Sequence, residues 1–440
     1  MNAVDPRRSG PTRRGVLRGT SAMAVAAAAG ATLPGCGTGG SADGTVRIDL
    51  WHGQADATLK VIKELIAKFE KTHPKIKVNL GGGVIADAML QKVTAGLASD
   101  SVPDIAYIFG SDLASIARSP KVADLTEFVE EGKIPWNQYW PAARDAVTIY
   151  GKVRAAPALL DSLAVVCNKK VFQAAGVPLP KQGWSWQEFI ATSKKLTDAG
   201  TNTFGTGWPG TGDEDTVWRM WPLIWDLDGD VIDRYKPQIG FSGDLGVRAL
   251  QVVQSLVKDE SVYVDPKPGG EQMYQVFGSG RMGMVITGPW QLPDIRQAKI
   301  DYHVVQLPSF TGVPQSISGP DTWTVFDNGS ERLDAACTLV GWLMEPEQNI
   351  QWDIEAGSLP VNRPSERGSD WIRHTIDVPG LNVFTSALET AKVRPAHPVY
   401  PQISKAFGEA IVSVLLDRSS PEQALRRCAD EANAALAKTR

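Results

Sequence analysis

Indole rings and carboxylates are the groups in this 440-residue chain best suited to holding a small ligand. There are 14 Trp against 12 Phe and 8 Tyr, although Trp is ordinarily the minor aromatic. Trp218, Trp221 and Trp225 stand at i, i+3 and i+7, one face of a helix. Such a stripe packs in a core more often than it stacks on a ligand. Trp225 is therefore read as core, and Trp218 and Trp221 stay open between core and platform. Asp321 and Trp323 in Gly319-Pro320-Asp321-Thr322-Trp323, Arg394 before Pro395, and Tyr400 after His397-Pro398-Val399 add charged and aromatic candidates. Arg394 could fork to a ligand or pair with a carboxylate. Together these groups offer flat apolar faces and bidentate hydrogen-bonding partners, which is recognition chemistry.

Covalent chemistry is poorly served. Neither a Gly-x-Ser-x-Gly elbow nor a phosphate loop occurs, and Gly81-Gly82-Gly83 reads as a turn. The five His, at 52, 73, 303, 374 and 397, have no i, i+4 pair, and the Cys spacing fits no zinc pattern. No metal or cofactor is expected.

The elements that must position these groups alternate. Val46 to Trp51 has apolar residues at every second place, a strand. Leu59, Ile62, Leu65, Ile66 and Phe69 recur at helical spacing, and that helix stops before His73-Pro74. Ile76, Val78 and Leu80 alternate again, 85–99 is helical, and 103–109 is a buried strand. Further helices are expected over 186–199, 245–258, 333–344 and 421–438, the last opened by Ser420 and Pro421. This order predicts an α/β fold with a mostly parallel sheet. Ligands of such sheets bind beyond the strands' carboxyl ends, which singles out Trp51, His52 and the segment from Phe109 to Asp112.

Composition sets the bounds. At 43% hydrophobic and 21% charged the chain is not disordered, and its length allows two or three domains. A net charge of −4 argues against nucleic acid. Arg13-Arg14 before the small-residue run from Gly19 to Leu33 reads as an export signal of the twin-arginine type. That run is too short and too rich in Ala and Gly to span a membrane. Leu33-Pro34-Gly35-Cys36 resembles a lipobox. Residues 1–35 would be removed, Cys36 acylated, and 36–44 would form a tether. Cys167, Cys337 and Cys428 remain, enough for one disulfide at most.

From Val46 onward the chain resembles the bacterial extracellular solute-binding proteins, family 1, the carbohydrate-transport branch that includes maltose-binding protein. The resemblance is carried by Trp51-His52-Gly53, Phe69 to Val78, Pro103-Asp104-Ile105, Pro157 to Lys169 with Gly176-Val177-Pro178, and Trp186-Gln187-Glu188-Phe189. It continues through Phe277 to Met284 with Gly288-Pro289-Trp290, Gly357-Ser358-Leu359-Pro360 and Pro421 to Leu425. Length and export signature are similar to mycobacterial amino-sugar-binding members. Cys167-Asn168-Lys169 departs from the family's Tyr-Asn-Lys, and Cys167 is expected to be packed in a strand.

The resemblance implies a two-lobed periplasmic binding protein type II fold with a multi-strand hinge and an interlobe ligand cleft. Lobe one would be 45–156 plus 309–357, and lobe two 157–308 plus 358–440. It further implies a ligand carboxylate at Asp112, another at Asp161 on the first hinge beside Ser162, and a stacking indole at Trp290. Sugar rings suit this set, since C–H faces lie on aromatic planes and hydroxyls meet carboxylates or guanidinium. Asp112, Asp161, Asp213, Glu214, Asp215 and Asp321 outnumber Arg394, which favours neutral or cationic ligands over phosphate esters. The expected protein is a monomeric, lipid-anchored, extracytoplasmic receptor that closes on a small oligosaccharide or amino sugar. It would deliver that solute to a membrane permease driven by an ATPase. Alternatives are a secreted glycoside hydrolase using paired carboxylates, a glycerophosphodiester-binding protein, and a surface adhesin, for which no repeats appear.

Overall fold

The computed structural model describes residues 44–54, 56–84 and 87–438. The expected signal, Cys36 and the tether through residue 43 lie outside them. In chain order the elements that matter begin with β1 (Val46–His52), α1 (Asp56–Thr72), β2 (Ile76–Gly82), α2 (Asp87–Ala98), β3 (Ile105–Phe109) and α3 (Gly110–Ile116). Then come β4 (Ala156–Leu159), β5 (Ala164–Asn168), α4 (Trp186–Leu196), β6 (Thr206–Pro209), α5 (Glu214–Trp218), α6 (Trp221–Asp226) and α7 (Asp244–Lys258). Next are β7 (Val262–Asp265), β8 (Met284–Thr287), β9 (Tyr302–Val305), β10 (Ser316–Ile317), β11 (Asp321–Val325), α8 (Ser330–Leu343) and α9 (Pro346–Ala356). The chain ends with β12 (Ala391–Lys392), α10 (Tyr400–Leu415) and α11 (Pro421–Ala437).

Two principal sheets organise the two-lobed α/β body. The first has strand order β2-β1-β3-β11-β4. Its β2, β1 and β3 are parallel, and β11 runs antiparallel to both β3 and β4. Ile48, Leu50, Ile105, Tyr107, Trp323 and Val325 turn one face of it into a core with α1. Ala106, Ile108 and Phe326 cover the other face with α2.

The second sheet has order β8-β5-β9, and both outer strands are antiparallel to β5. The parallel pairing expected from the alternation over residues 46–109 is found among β2, β1 and β3 of the first sheet. Val165 and Cys167 face one core and Ala164 and Val166 the other, so β5 is apolar throughout. Cys167, Cys337 and Cys428 are free and buried.

Local chemistry fixes the element ends. Ser185 caps α4 with a full capping box: its Oγ accepts the Glu188 N–H at 3.2 Å and its own N–H donates to Glu188 at 2.7 Å. Ser420 repeats the device with Gln423 ahead of α11, with Pro421 in the first turn. The Trp218–Trp225 stripe is not a single helix. The backbone breaks after Trp218 and restarts at Trp221, with Pro222 in the new first turn.

Several segments run between the sheets. Residues 160–163 join β4 to β5, and 306–320 join β9 to β11. Leu160 forms an isolated antiparallel bridge with Leu359, and β10 pairs in parallel with β12. Gly357 ends α9 in the left-handed region (φ 72°), where an added Cβ would lie 3.0 Å from the Trp290 Cα. The terminal helix α10 packs on α5, α7 and α3, and α11 packs on α10 and α7. No described helix is long and apolar enough to cross a membrane.

Candidate functional site: a carboxylate and indole cleft

The first sheet brings polar groups to one edge because β11 begins where β3 ends. Asp321 stands opposite Phe109 in register, so it shares a face with Tyr107 two residues back. The Tyr107 hydroxyl donates to Asp321 Oδ2 at 2.6 Å. Gln54, just after β1, also hydrogen-bonds the Tyr107 phenol. The chain turns from β3 into α3 past Pro320, whose carbonyl accepts the Gly110 N–H at 3.0 Å. A Cβ at Gly110 would sit 2.3 Å from that oxygen, so only glycine allows the approach.

Asp161 enters from the crossing after β4. Its Oδ1 accepts the Gly319 N–H at 2.8 Å. Burial pushes the Asp161 carboxyl up to about 7, although the Gly319 N–H and the Arg394 charge pull the other way. Burial, and then the charge of Asp161, push Asp321 up to about 8, against the pull of Tyr107 and Arg394. The two acids titrate as a pair and hold less than their full negative charge near neutrality.

The second half of the cluster comes from α5 and the segment before α10. Arg394 places its guanidinium carbon 4.3 Å from the centre of the Trp218 indole and pairs with Glu214 at 2.8 Å. Glu214 also accepts from the Tyr400 hydroxyl at 2.6 Å and from the Ser404 hydroxyl. Gly319 joins the two halves: a Cβ there would lie 2.1 Å from the Trp218 ring and 2.8 Å from an Arg394 nitrogen. Ser111 Oγ, Trp218 Nε1 and Ser318 Oγ are buried in this neighbourhood with no protein hydrogen-bond partner, which leaves donors and acceptors for a polar solute or water.

A second network lies beside β8. Arg219, fully buried, donates from Nε to the Ile286 carbonyl at 3.0 Å and from Nη2 to the Tyr274 hydroxyl at 2.9 Å. Its Nη1 lies 3.5 Å from Asp215 Oδ1. Tyr274 also bonds Thr287 at 2.9 Å and receives the Trp290 indole N–H. Burial raises the Asp215 carboxyl against the pull of Arg219.

The structure thus gathers Asp161, Asp321, Trp218 and Arg394 and links them to Tyr400 through Glu214. The other expected residues have these surroundings. Trp51 is half-buried under the Lys92 ammonium, 4.2 Å from its ring centre. His52 is 6% exposed, and its Nδ1 accepts the Gln54 N–H at 3.1 Å. Burial, and then nearby Lys63, push its pKa below the ordinary value. Asp112 is buried in the first turn of α3. Trp290, half-buried, belongs to the Tyr274 network.

Four expected contacts are buried within the protein. Trp221 is fully enclosed and donates from Nε1 to the Tyr400 hydroxyl at 2.9 Å. Tyr400 is itself buried, with its hydroxyl spent on Glu214. Trp323 sits edge-on to Tyr107 and Trp352 in the first core. Ser162 donates to the Phe384 carbonyl at 2.8 Å inside the hinge. Tyr107, Gln54 and Ser404 were not legible as site residues, since Tyr107 reads as an inward strand residue and the other two as ordinary polar positions. Among the described residues no group of His, Cys, Asp and Glu could hold a metal ion. A concavity of about 500 Å³ is lined by Trp140, Trp225 and Lys392 together with Leu160 and Val393, the chain neighbours of Asp161 and Arg394.

Comparison with known proteins agrees with this architecture. Residues 55–350 match the bacterial extracellular solute-binding protein family. A binding protein of Brucella abortus is 24% identical over 437 residues, covering 97% of this chain and 98% of its own. Among solved structures, the GacH receptor of Streptomyces glaucescens, determined unliganded and with acarbose, superposes with a TM-score of 0.78 at 22% identity. It covers 89% of this chain and 99% of its own. UgpB of Mycobacterium tuberculosis, in complex with glycerophosphocholine, gives 0.81 at 19% identity, covering 90% and 100%. The chain belongs to the bacterial extracellular solute-binding protein family.

Proposed function

We propose that this chain is the capture subunit of an importer and binds a neutral or cationic carbohydrate, a small oligosaccharide or an amino sugar, between its lobes. The observation that carries this reading is the pairing of Asp161 with Asp321 beside Trp218. Two acids offer acceptors to hydroxyl or ammonium groups, and the indole offers a face to ring C–H groups. The polar atoms of Ser111, Trp218 and Ser318 without protein partners support the same reading. Asp112 and Trp290 would contribute from the adjoining walls. Ligand contact with both lobes supplies the differential affinity that favours closure.

In this reading the receptor is exported, held at the outer face of the membrane through acylated Cys36 and acts as a monomer. It hands its solute unchanged to a permease powered by an ATPase. Glycoside hydrolysis by Asp161 and Asp321 is the competing use of the same acids. A reducing-sugar release assay on malto- and chito-oligosaccharides separates the two, since a receptor gives no turnover. The resemblance to UgpB favours a second reading, a glycerophosphodiester ligand. A thermal-shift panel of mono- and disaccharides, amino sugars and glycerophosphodiesters tests both. A ligand at about 100 times its Kd adds about 2.7 kcal/mol of stability. Stabilisation by sugars supports the proposal, and stabilisation by phosphodiesters alone overturns it.

A further inference from the structure

Two neighbouring acids at the start of α5 each engage a different guanidinium. Asp215 takes Arg219 at 3.5 Å, and Glu214 takes Arg394 at 2.8 Å. Glu214 is held on both oxygens: Oε1 accepts Arg394 and Tyr400, and Oε2 accepts the Ser404 hydroxyl. The tyrosine is fixed in turn by the Trp221 indole N–H at 2.9 Å. The Arg394 side chain is only 4% exposed, with Trp218 against its face. Both guanidinium groups near the cleft are therefore neutralised by α5 before any ligand arrives.

We propose that Glu214 is the specificity-determining residue that keeps anions out of this cleft, by pairing with Arg394 and so withdrawing the guanidinium a phosphate would engage. This rests on the sugar-binding reading above. With Arg394 occupied, a phosphate ester finds no unpaired guanidinium beside Asp161 and Asp321, whose residual negative charge repels it. A protein of the same fold holds glycerophosphocholine, so the scaffold does not forbid a phosphodiester, and side chains must decide. Arg is the side chain whose planar fork best matches phosphate oxygens. Glu214→Gln keeps the shape and an acceptor for Tyr400 but drops the charge, leaving Arg394 an unneutralised cation beside the cleft. Glu214 need not touch the ligand to act this way, so it is a positioning residue.

The test is calorimetric titration of the full chain, of Glu214→Gln, and of the double variant Glu214→Gln with Arg394→Gln. The probes are maltose, glucosamine and sn-glycerol 3-phosphate. Glu214→Gln should bind sn-glycerol 3-phosphate at least about tenfold more tightly than the wild type, and the double variant should lose that gain. A folded Glu214→Gln protein that still binds a sugar and gains nothing for the phosphate overturns the proposal and leaves the sugar reading intact. A wild type that binds neither sugar, with the phosphate gain present, sinks the sugar reading and leaves the role of Glu214 standing. Should Glu214→Gln fail to fold, the wild type decides. Inorganic phosphate at about 10 mM should leave its melting temperature unchanged, and clear stabilisation would show Arg394 open to anions and overturn the proposal.

Discussion

Tyr107 on β3 donates its phenolic hydrogen to Asp321 at the start of β11 across 2.6 Å, and this bond ties the acid pair of the cleft to the core of the first sheet. The phenol sits edge-on to Trp323, ring centres 5.2 Å apart, so it has little freedom to follow a different partner. Tyr107→Phe removes the donor without leaving a cavity. It is expected to cost about 1–3 kcal/mol in denaturant unfolding, because Asp321 loses a buried partner, and to weaken sugar binding. No change in either would show that the bond does not hold Asp321 in place.

Proton linkage follows from the same pair. Asp161 and Asp321 have pKa values raised to about 7 and about 8, against about 3.9 for an unfolded aspartate. The groups facing them are Arg394, the Gly319 N–H and Tyr107, itself joined to Gln54. Between these limits the folded chain binds more protons than the unfolded chain, so their contribution to stability is complete below about pH 4 and is lost as pH rises through about 7–8. Thermal unfolding of the ligand-free protein across this range should show that loss, and the Asp161→Asn, Asp321→Asn double variant should not. Equal pH slopes in both proteins would refute the linkage.

Close approach at Gly319 gives a steric prediction. Its added Cβ would come within 2.1 Å of the Trp218 indole, a rigid ring that cannot swing aside as a flexible chain end would. Gly319→Ala should therefore lower stability by about 1–3 kcal/mol and displace Trp218, weakening sugar binding more than a surface substitution does. Wild-type affinity and stability together would show that the ring is free to move.

Trp323 serves as a contrast. It is buried against Tyr107 and Trp352, so Trp323→Ala should cost about 3–5 kcal/mol in unfolding. The fraction that stays folded should keep more of its sugar affinity than Asp161→Ala does. The reverse ranking would place Trp323 on the ligand side.

Particular residues show what could be read in advance. The alternation of Val46 to Trp51, the Ser185 capping box and the Ser420-Pro421 helix start are local patterns, and local patterns survive folding. Asp321, Trp218 and Arg394 were nameable because their types and neighbours are visible in one dimension, and Asp161 because the family resemblance pointed to it. Glu214 was legible only as one charge in an acidic run, since Arg394 and Tyr400 lie 180 and 186 residues away. Trp221 was ambiguous for a different reason: helical spacing puts it beside Trp218, and only the fold shows it fully enclosed with its indole N–H on Tyr400.

Asp161→Ala offers the most direct measurement. Calorimetric titration of this variant and of the wild type with the best-stabilising sugar should show affinity falling by at least about tenfold. The melting temperature should not drop, because a buried acid with a raised pKa is no net anchor of the fold near neutral pH. Undiminished sugar affinity in a folded Asp161→Ala protein would contradict a cleft organised around that carboxylate.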